Sequence, residues 1–431
     1  MSEQLDRKAI DILKKNDRGG YTVPTARLYP HQWNWDSVFV ALGFSTFDRD
    51  RAWTELEYLM EGQWDNGMVP SILFRNDDPD YFPGPSVWQT QTTRSPAPPL
   101  PSTGISQPPI LACVMKQLVD SGDTTDLARA AGLVEKTLSW HRWYQQERSA
   151  NGVVCTVHPW ETGRDNCPDW ELGLNGMQID NELEPYQRMD TKHAKPEQRP
   201  SQEQYDKFVT IIKFARERQW NQISLTNDGP FLMADPCIHF ILLRANKDLL
   251  ALAKTLELDE AVAELTAFIE EGERATQYFW NPNIEAFTAR NVRTGEYSNG
   301  LTNASMLSFF ADTGTAEQTN KMIGHLERIQ SSVKYLMPSW DPEASGFDAQ
   351  RYWCGPIWPQ MNYLVSKGLS EQGFDSLATN IRSDMASLIE LSGFYECFNP
   401  LTGEGCIGND FSWTAAIWLA WASPNRHQVA A

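Results

Sequence analysis

The chain has 431 residues, with 37 Lys and Arg against 56 Asp and Glu, for a formal net charge of −19. Affinity for nucleic acids and anionic membranes rests on cationic side chains that neutralise phosphates, so this balance argues against both as partners. No stretch approaches the roughly 18 apolar residues of a membrane span, and the charged start "MSEQLDRKAIDILKKND" lacks the apolar core of a signal peptide. A cytoplasmic protein is the expectation. No Gly/Ser-rich or like-charge run divides residues 1–431, which predicts a single domain.

Helical periodicity recurs along the chain and long alternating segments are nearly absent, which predicts an all-α fold. In order, helices are expected over about 3–16, 34–46, 50–63, 106–121, 125–147, 203–219, 232–256, 259–279, 303–312, 316–328, 356–369, 374–391 and 411–422. Asp48, Ser106 and Ser201 are read as helix starts, and Gly122, Gly314 and Gly368 as stops. Two connections, about 64–105 and 150–202, are too long for turns and too aromatic for disorder, so they are expected to be lid loops. A dozen helices joined by alternately short and long connections predicts an (α/α)6 barrel with its long loops over one mouth.

The 17 Trp stand largely in polar, Gly/Pro-containing segments such as "QWDNG", "HPWETG" and "MPSWDPE". A flat apolar ring beside hydrogen-bonding groups suits the two kinds of surface on a pyranose. "YPHQWNWDS" carries Tyr29, Trp33, Trp35 and Asp36 at a predicted helix mouth. Asp36 is either the cap of that helix or a carboxylate that grips sugar hydroxyls between stacking rings. "HPWETGRDNCPDWE" gathers Trp160, Glu161, Arg164, Asp165, Asp169 and Glu171 into one loop. It is either a solvated acidic loop or the seat of a carboxyl group whose raised proton affinity suits a general acid. "GFYECFNPLTGEG" supplies Glu396 and Glu404. "QRYWCGPIWPQ" supplies Arg351, Tyr352, Trp353 and Trp358, either as a site wall or as the packed start of a helix. The first long loop adds Tyr81, and "STGISQPPI" adds Gln107.

Seven cysteines, at 113, 155, 167, 237, 354, 397 and 406, are odd in number and lack a CxxC pair, so they read as free structural thiols. No metal or organic cofactor is implied.

Together "QWNWDS", "DNGMVP", "YFPGP", "SQPPI", "HPWETGRDNCPDW", "YWCGPIW" and the "FYE.FNP.TGEG....FSWTA" ending resemble the clan of inverting α-glycosidases that includes glycoside hydrolase family sixty-three and trehalases, most closely its bacterial glucosylglycerate and mannosylglycerate hydrolases. The resemblance runs from Tyr29 to Trp413 and implies the (α/α)6 fold. It implies Asp165 as general acid and Glu396, in preference to Glu404, as general base. Tyr29, Trp33, Trp35 and Asp36 match the pocket for the cleaved ring, and Tyr81, Gln107, Tyr352, Trp353 and Trp358 the wall around the leaving group. A glycerate leaving group needs a cation with forked geometry. Arg199 is the candidate, assisted by Tyr205, with Arg164, Arg188 and Arg351 as alternatives. Relatives often read "YWRGP" where this chain has Cys354, which opens the possibility of another leaving group.

The expected reaction is single-step hydrolysis of a small α-glucoside or mannoside, glucosylglycerate first, with inversion and without cofactor. Alternatives are an α-glucosidase for a kojibiose- or trehalose-like substrate, a sugar epimerase or isomerase, and a non-catalytic sugar-binding protein. An epimerase needs central histidines, whereas His31, His158 and His193 are scattered in predicted loops. A homo-oligomer is compatible with the sequence.

Overall fold

A computed structural model describes residues 2–26, 28–192 and 194–425, so His193 lies outside the described residues. Among these, seventeen α-helices follow one another: α1 Ser2–Asn16, α2 Asn34–Phe44, α3 Arg49–Met60, α4 Pro85–Trp88, α5 Thr90–Thr93, α6 Leu111–Ser121, α7 Thr124–Glu147, α8 Glu171–Leu174, α9 Gln202–Glu217, α10 Gln222–Asp228, α11 Pro236–Thr255, α12 Asp259–Thr276, α13 Leu307–Ala311, α14 Ala316–Ser332, α15 Pro359–Glu371, α16 Asp375–Ser392 and α17 Ser412–Ile417.

Two kinds of helix sequence sort into two rings. "NWDSVFVALGF" of α2 is apolar on nearly all sides, and every one of its residues is buried. "DEAVAELTAFIEEGERAT" of α12 is amphipathic and buries only Ala261, Leu265 and Thr276. A helix apolar all round belongs inside and a striped one outside. Accordingly α2, α6, α11, α13, α15 and α17 pack each on the next, and α17 packs back on α2, which closes an inner ring of six. Outside them, α3, α7, α12 and α16 pack on α2, α6, α11 and α15, and α1 packs on α17. Helix α14, buried along one face at Gln318, Met322, Leu326 and Ile329, follows α13 on the outside. This is the (α/α)6 barrel.

Asp48 caps α3 by accepting from Arg51 N at 3.1 Å, and Ser201 caps α9 in a reciprocal box with Gln204. Gly122 ends α6 as read from sequence. Two readings are corrected. Ser106 does not start a helix: α6 begins at Leu111, because Ser106 Oγ is held by the Val69 carbonyl and the Trp140 indole while Pro108 and Pro109 keep the chain extended. Gly368 is not a stop but an interior residue of α15, placed where a Cβ would collide with the Phe309–Phe310 backbone of α13. Four small sheets among the described residues, none with a strand above four residues, have no counterpart in the periodicity. The connection 64–105 holds α4 and α5, and 150–202 holds α8 and several 3₁₀ turns. The lid segments touch each other through the stacked rings of Phe82 and Tyr186, 4.7 Å apart.

Candidate active site

Segments that enter the inner helices converge on a cavity of about 890 Å³, including its open mouth. Its walls include Tyr29, Trp33, Trp35, Asp36, Tyr81, Gln107, Trp160, Asp165, Arg199, Tyr205, Tyr352 and Glu396. Fragments scattered from 29 to 396 thus meet because helix entrances gather at one end of the barrel.

Asp165 projects into the cavity from a loop whose other members are locked. Gly163 turns the chain at φ +68°, and a Cβ there would stand 2.5 Å from the Trp35 ring. Arg164, fully buried, is paired with Asp235 and with Asp169 at 3.3 Å. Asn166 accepts from Trp353 N at 2.9 Å. Glu161 is bound by Arg148 at 2.5 Å and by Val157 N at 2.8 Å. Glu161 and Asp169 are therefore satisfied structural carboxylates, and Glu171 is exposed. Of the four acids in this loop only Asp165 lines the cavity.

Glu396 precedes a hairpin of Cys397–Phe398 and Gly405–Cys406. Ile357 and Phe398 exchange backbone hydrogen bonds of 2.7 and 3.0 Å, which ties the hairpin to the "YWCGPIW" segment. Glu404 sits in the turn, where Asn399 Oδ1 accepts from Leu401 N and Thr402 N, and is exposed. Glu396 is 1 % exposed; Oε1 accepts from Tyr29 OH at 3.0 Å while Oε2 has no partner among the described residues. An unpartnered buried carboxylate oxygen beside a cavity is where a water or substrate hydroxyl belongs.

Asp36 does not cap α2. The cap position is Trp33, without a side-chain bond, and Asp36 lies inside the first turn, 3 % exposed at the cavity wall. Trp33 and Tyr29 meet edge to face at 5.2 Å, and Trp33 and Tyr81 at 5.5 Å. Arg199 donates from Nη1 to Tyr29 OH at 2.9 Å and from Nε to Asp190 Oδ2 at 2.9 Å, with its guanidinium 4.2 Å from the centre of the Tyr352 ring.

A model of the mannosylglycerate hydrolase MGH1-like glycoside hydrolase domain matches residues 29–414. The chain belongs to this family. It is 38 % identical to a mannosylglycerate hydrolase of Thermus thermophilus over 96 % of this chain and 99 % of that one. It is 30 % identical to a glucosylglycerate hydrolase of Mycolicibacterium hassiacum, covering 97 % of each. The crystal structure of a family 63 mannosylglycerate hydrolase from Thermus thermophilus in complex with Tris superposes with a TM-score of 0.91, at 39 % identity, over 97 % of this chain and 99 % of that one. The same enzyme has been solved with Tris and D-glycerate.

Within this glycoside hydrolase, burial pushes both Asp165 and Glu396 up to about 7; Arg199 opposes the rise at each, and the Tyr29 hydroxyl opposes it further at Glu396. Burial and then the charge of Glu396 hold Asp36 well above the usual carboxylate range. The two carboxyls differ in their bonding. Glu396 receives a hydroxyl hydrogen bond that favours its anion. Asp165, among the described residues, receives only that of its own backbone amide. The Tyr29 bond favours the anion at Glu396 and has no side-chain counterpart at Asp165 among the described residues.

Trp353 and Trp358 do not line the cavity. Their rings stack at 3.8 Å and 7° and back the wall, Trp353 beneath Trp35 and Trp358 beneath Tyr352 and Trp413. Cys354 is buried behind the wall against the Asn166 carbonyl, so a change there reaches the site through the Asp165 loop or through Tyr352, two residues before it. Of the alternative cations, Arg164 is consumed beneath the floor, Arg188 is bound to Asp190 and Pro200 O, and Arg351 is not at the cavity. All seven cysteines are free and buried. Among the described residues no histidine lines the cavity; His31 is packed behind Tyr81 and Trp33. Asp190, Phe411, Trp413, Met189 and Trp88 belong to the wall, and sequence reasoning missed them. Asp190 sits in "QRMDTKH", a segment with no signal beyond Arg–Asp alternation, whereas Trp413 stands inside the "FSWTA" ending, a signal that could have found it. Among the described residues no helix is long and apolar enough to cross a membrane.

Proposed function

We propose that this protein hydrolyses α-linked hexosylglycerates, mannosylglycerate or glucosylglycerate, to the hexose and glycerate with inversion at the anomeric carbon. Asp165 protonates the glycosidic oxygen while Glu396 takes a proton from a water on the far face of the sugar. That water sits at the unpartnered Oε2 of Glu396. Tyr29, Trp33, Trp35 and Asp36 enclose the cleaved ring. Tyr81, Gln107, Trp160, Tyr205 and Tyr352 surround the glycerate, with its carboxylate on Arg199. The observation that carries this reading is that Asp165 and Glu396, from remote segments, line one cavity with Arg199, the one arginine among the described residues of its wall, and that of these two carboxyls only Glu396 is held by a hydrogen-bond donor side chain. Mannosylglycerate hydrolases among the relatives, at 38 % identity, stand nearer than the glucosylglycerate hydrolase at 30 %, which puts the mannoside first among substrates to test.

Incubation with mannosylglycerate, glucosylglycerate, trehalose and kojibiose, followed by proton NMR within the first turnovers, tests the proposal. Release of β-hexose and glycerate from a hexosylglycerate is the expected result. Initial release of the α-anomer, or cleavage of the neutral disaccharides alone, overturns it.

A further inference from the structure

Arg199 acts on both members of the proposed catalytic pair, and the inference drawn from this rests on the reading above. Its Nη1 donates to Tyr29 OH at 2.9 Å, and the same hydroxyl donates to Glu396 Oε1 at 3.0 Å and lies 3.0 Å from Tyr352 OH. A phenol that accepts from a cation donates more strongly to its own acceptor, so the chain from Arg199 to Glu396 is polarised toward the carboxylate. Asp190 is bonded to Arg199 at 2.9 Å but also receives two hydrogen bonds from Arg188, of 3.0 and 2.7 Å. Asp190 is thus shared between two guanidiniums and offsets the charge of Arg199 only in part.

We propose that an anionic leaving group arms the acid and the base together by pairing with Arg199, and that Tyr29 is the positioning residue through which this pairing reaches Glu396. The charged and titratable groups around the pair fix the sign. Glu396 faces Arg199, Tyr29, Tyr352, Asp165 and Asp36; Asp165 faces Arg199, Asp190, Tyr29, Tyr81 and Tyr352. Burial raises both carboxyls, and Arg199 is the only cation among these groups and holds both down. A substrate carboxylate that neutralises Arg199 removes this restraint. Asp165 then keeps its proton to higher pH, and Glu396 ionises at higher pH but is the stronger base once it has, so the active window moves to the alkaline side as a whole. A leaving group without a carboxylate fills the same space but leaves the restraint in place, so selectivity enters kcat and not KM alone.

The test uses the full chain and one hexosylglycerate. The pH profile of kcat reports groups in the substrate complex and that of kcat/KM reports the free enzyme. The kcat bell is expected about one pH unit more alkaline than the kcat/KM bell, a tenfold change in proton affinity. With the same glycoside reduced at its carboxylate to a primary alcohol, the two bells coincide. Tyr29→Phe moves the acidic limb of kcat/KM upward and narrows the separation, which the loss of a purely structural ring contact does not do. Isotope-edited infrared titration of Glu396, assigned with Glu396→Gln, provides a measurement independent of turnover: D-glycerate raises its midpoint and glycerol does not. Coincident bells with the anionic substrate, or bound D-glycerate without an infrared shift, overturn the coupling alone. Failure of D-glycerate to bind by calorimetry overturns the leaving-group assignment and the coupling with it.

Discussion

At the scale of single residues, the site depends on which carboxylates are left unsatisfied. Glu161 and Asp169 carry the same chemistry as Asp165, yet each is bound by a buried arginine, while Asp165 faces open space. Asp165→Asn and Glu396→Gln are each expected to lower kcat by about 10²–10⁴-fold with little change in the fold, measured by hexose release and by circular dichroism. Near-normal kcat in either variant removes that residue from its role. Holding Asp165 at about 7 against an ordinary 3.8 means that the folded state binds its proton more tightly than the unfolded chain. The wild type therefore pays nothing for this group below pH 4 and loses stability as pH rises toward 7. Partial exposure to the cavity limits the cost to about 2 kcal/mol. Asp165→Asn should thus raise the midpoint of thermal unfolding at pH 8 and leave it unchanged at pH 3.5. Equal shifts at both values would argue against a raised proton affinity. The choice between Glu396 and Glu404 was legible only through motif resemblance, because both are glutamates in a Gly-rich segment; burial of one and exposure of the other separates them.

At the scale of elements, loops hold Asp165 and Glu396 through close packing that tolerates no extra atom. Gly163 is required twice, by its positive φ and by the Trp35 ring against its Cα. Gly163→Ala should displace the Asp165 loop and lower kcat more than it raises KM, with about 2 kcal/mol of stability lost to left-handed backbone and overpacking. Steady-state kinetics beside thermal unfolding checks this; unchanged kcat with a large stability loss would mean that the loop adjusts without moving Asp165. Trp353 and Trp358 belong to this scale as well. The resemblance places them in the wall around the leaving group, whereas their stacked rings are scaffold behind Tyr352 and Trp35, not lining. A sequence cannot separate the two roles, since both need a flat apolar ring.

At the scale of the whole molecule, the cavity exists because six inner helices close on themselves. Closure brings α17 against α2 and α13 against α15 at very short range: a Cβ on Gly43 would lie 2.5 Å from Ala416, and one on Gly368 would meet the backbone of Phe310. Gly368→Ala is expected to cost about 2–4 kcal/mol, because helix backbone on both sides cannot give way as a side chain can. Chemical denaturation measures it, with Gly132→Ala in the exposed part of α7, where a Cβ meets nothing within 4 Å, as the neutral or slightly stabilising control. A Gly368→Ala variant as stable as the control would show that the ring does not rely on this contact.

Periodicity by itself determined that the chain is helical and where most of its long helices lie, because a 3.6-residue apolar stripe or an all-apolar run records burial directly. Distinct aromatic and acidic motifs, each local, also marked which segments had to meet. Tertiary structure alone decided which members of those segments face the cavity, for a reason that no local pattern contains. Asp165 and Asp169, Glu396 and Glu404, Trp35 and Trp353 differ not in chemistry but in what stands opposite them: Asp169 meets the folded-back Arg164, Glu404 meets solvent and Trp353 lies behind Trp35, while Asp165, Glu396 and Trp35 face the cavity.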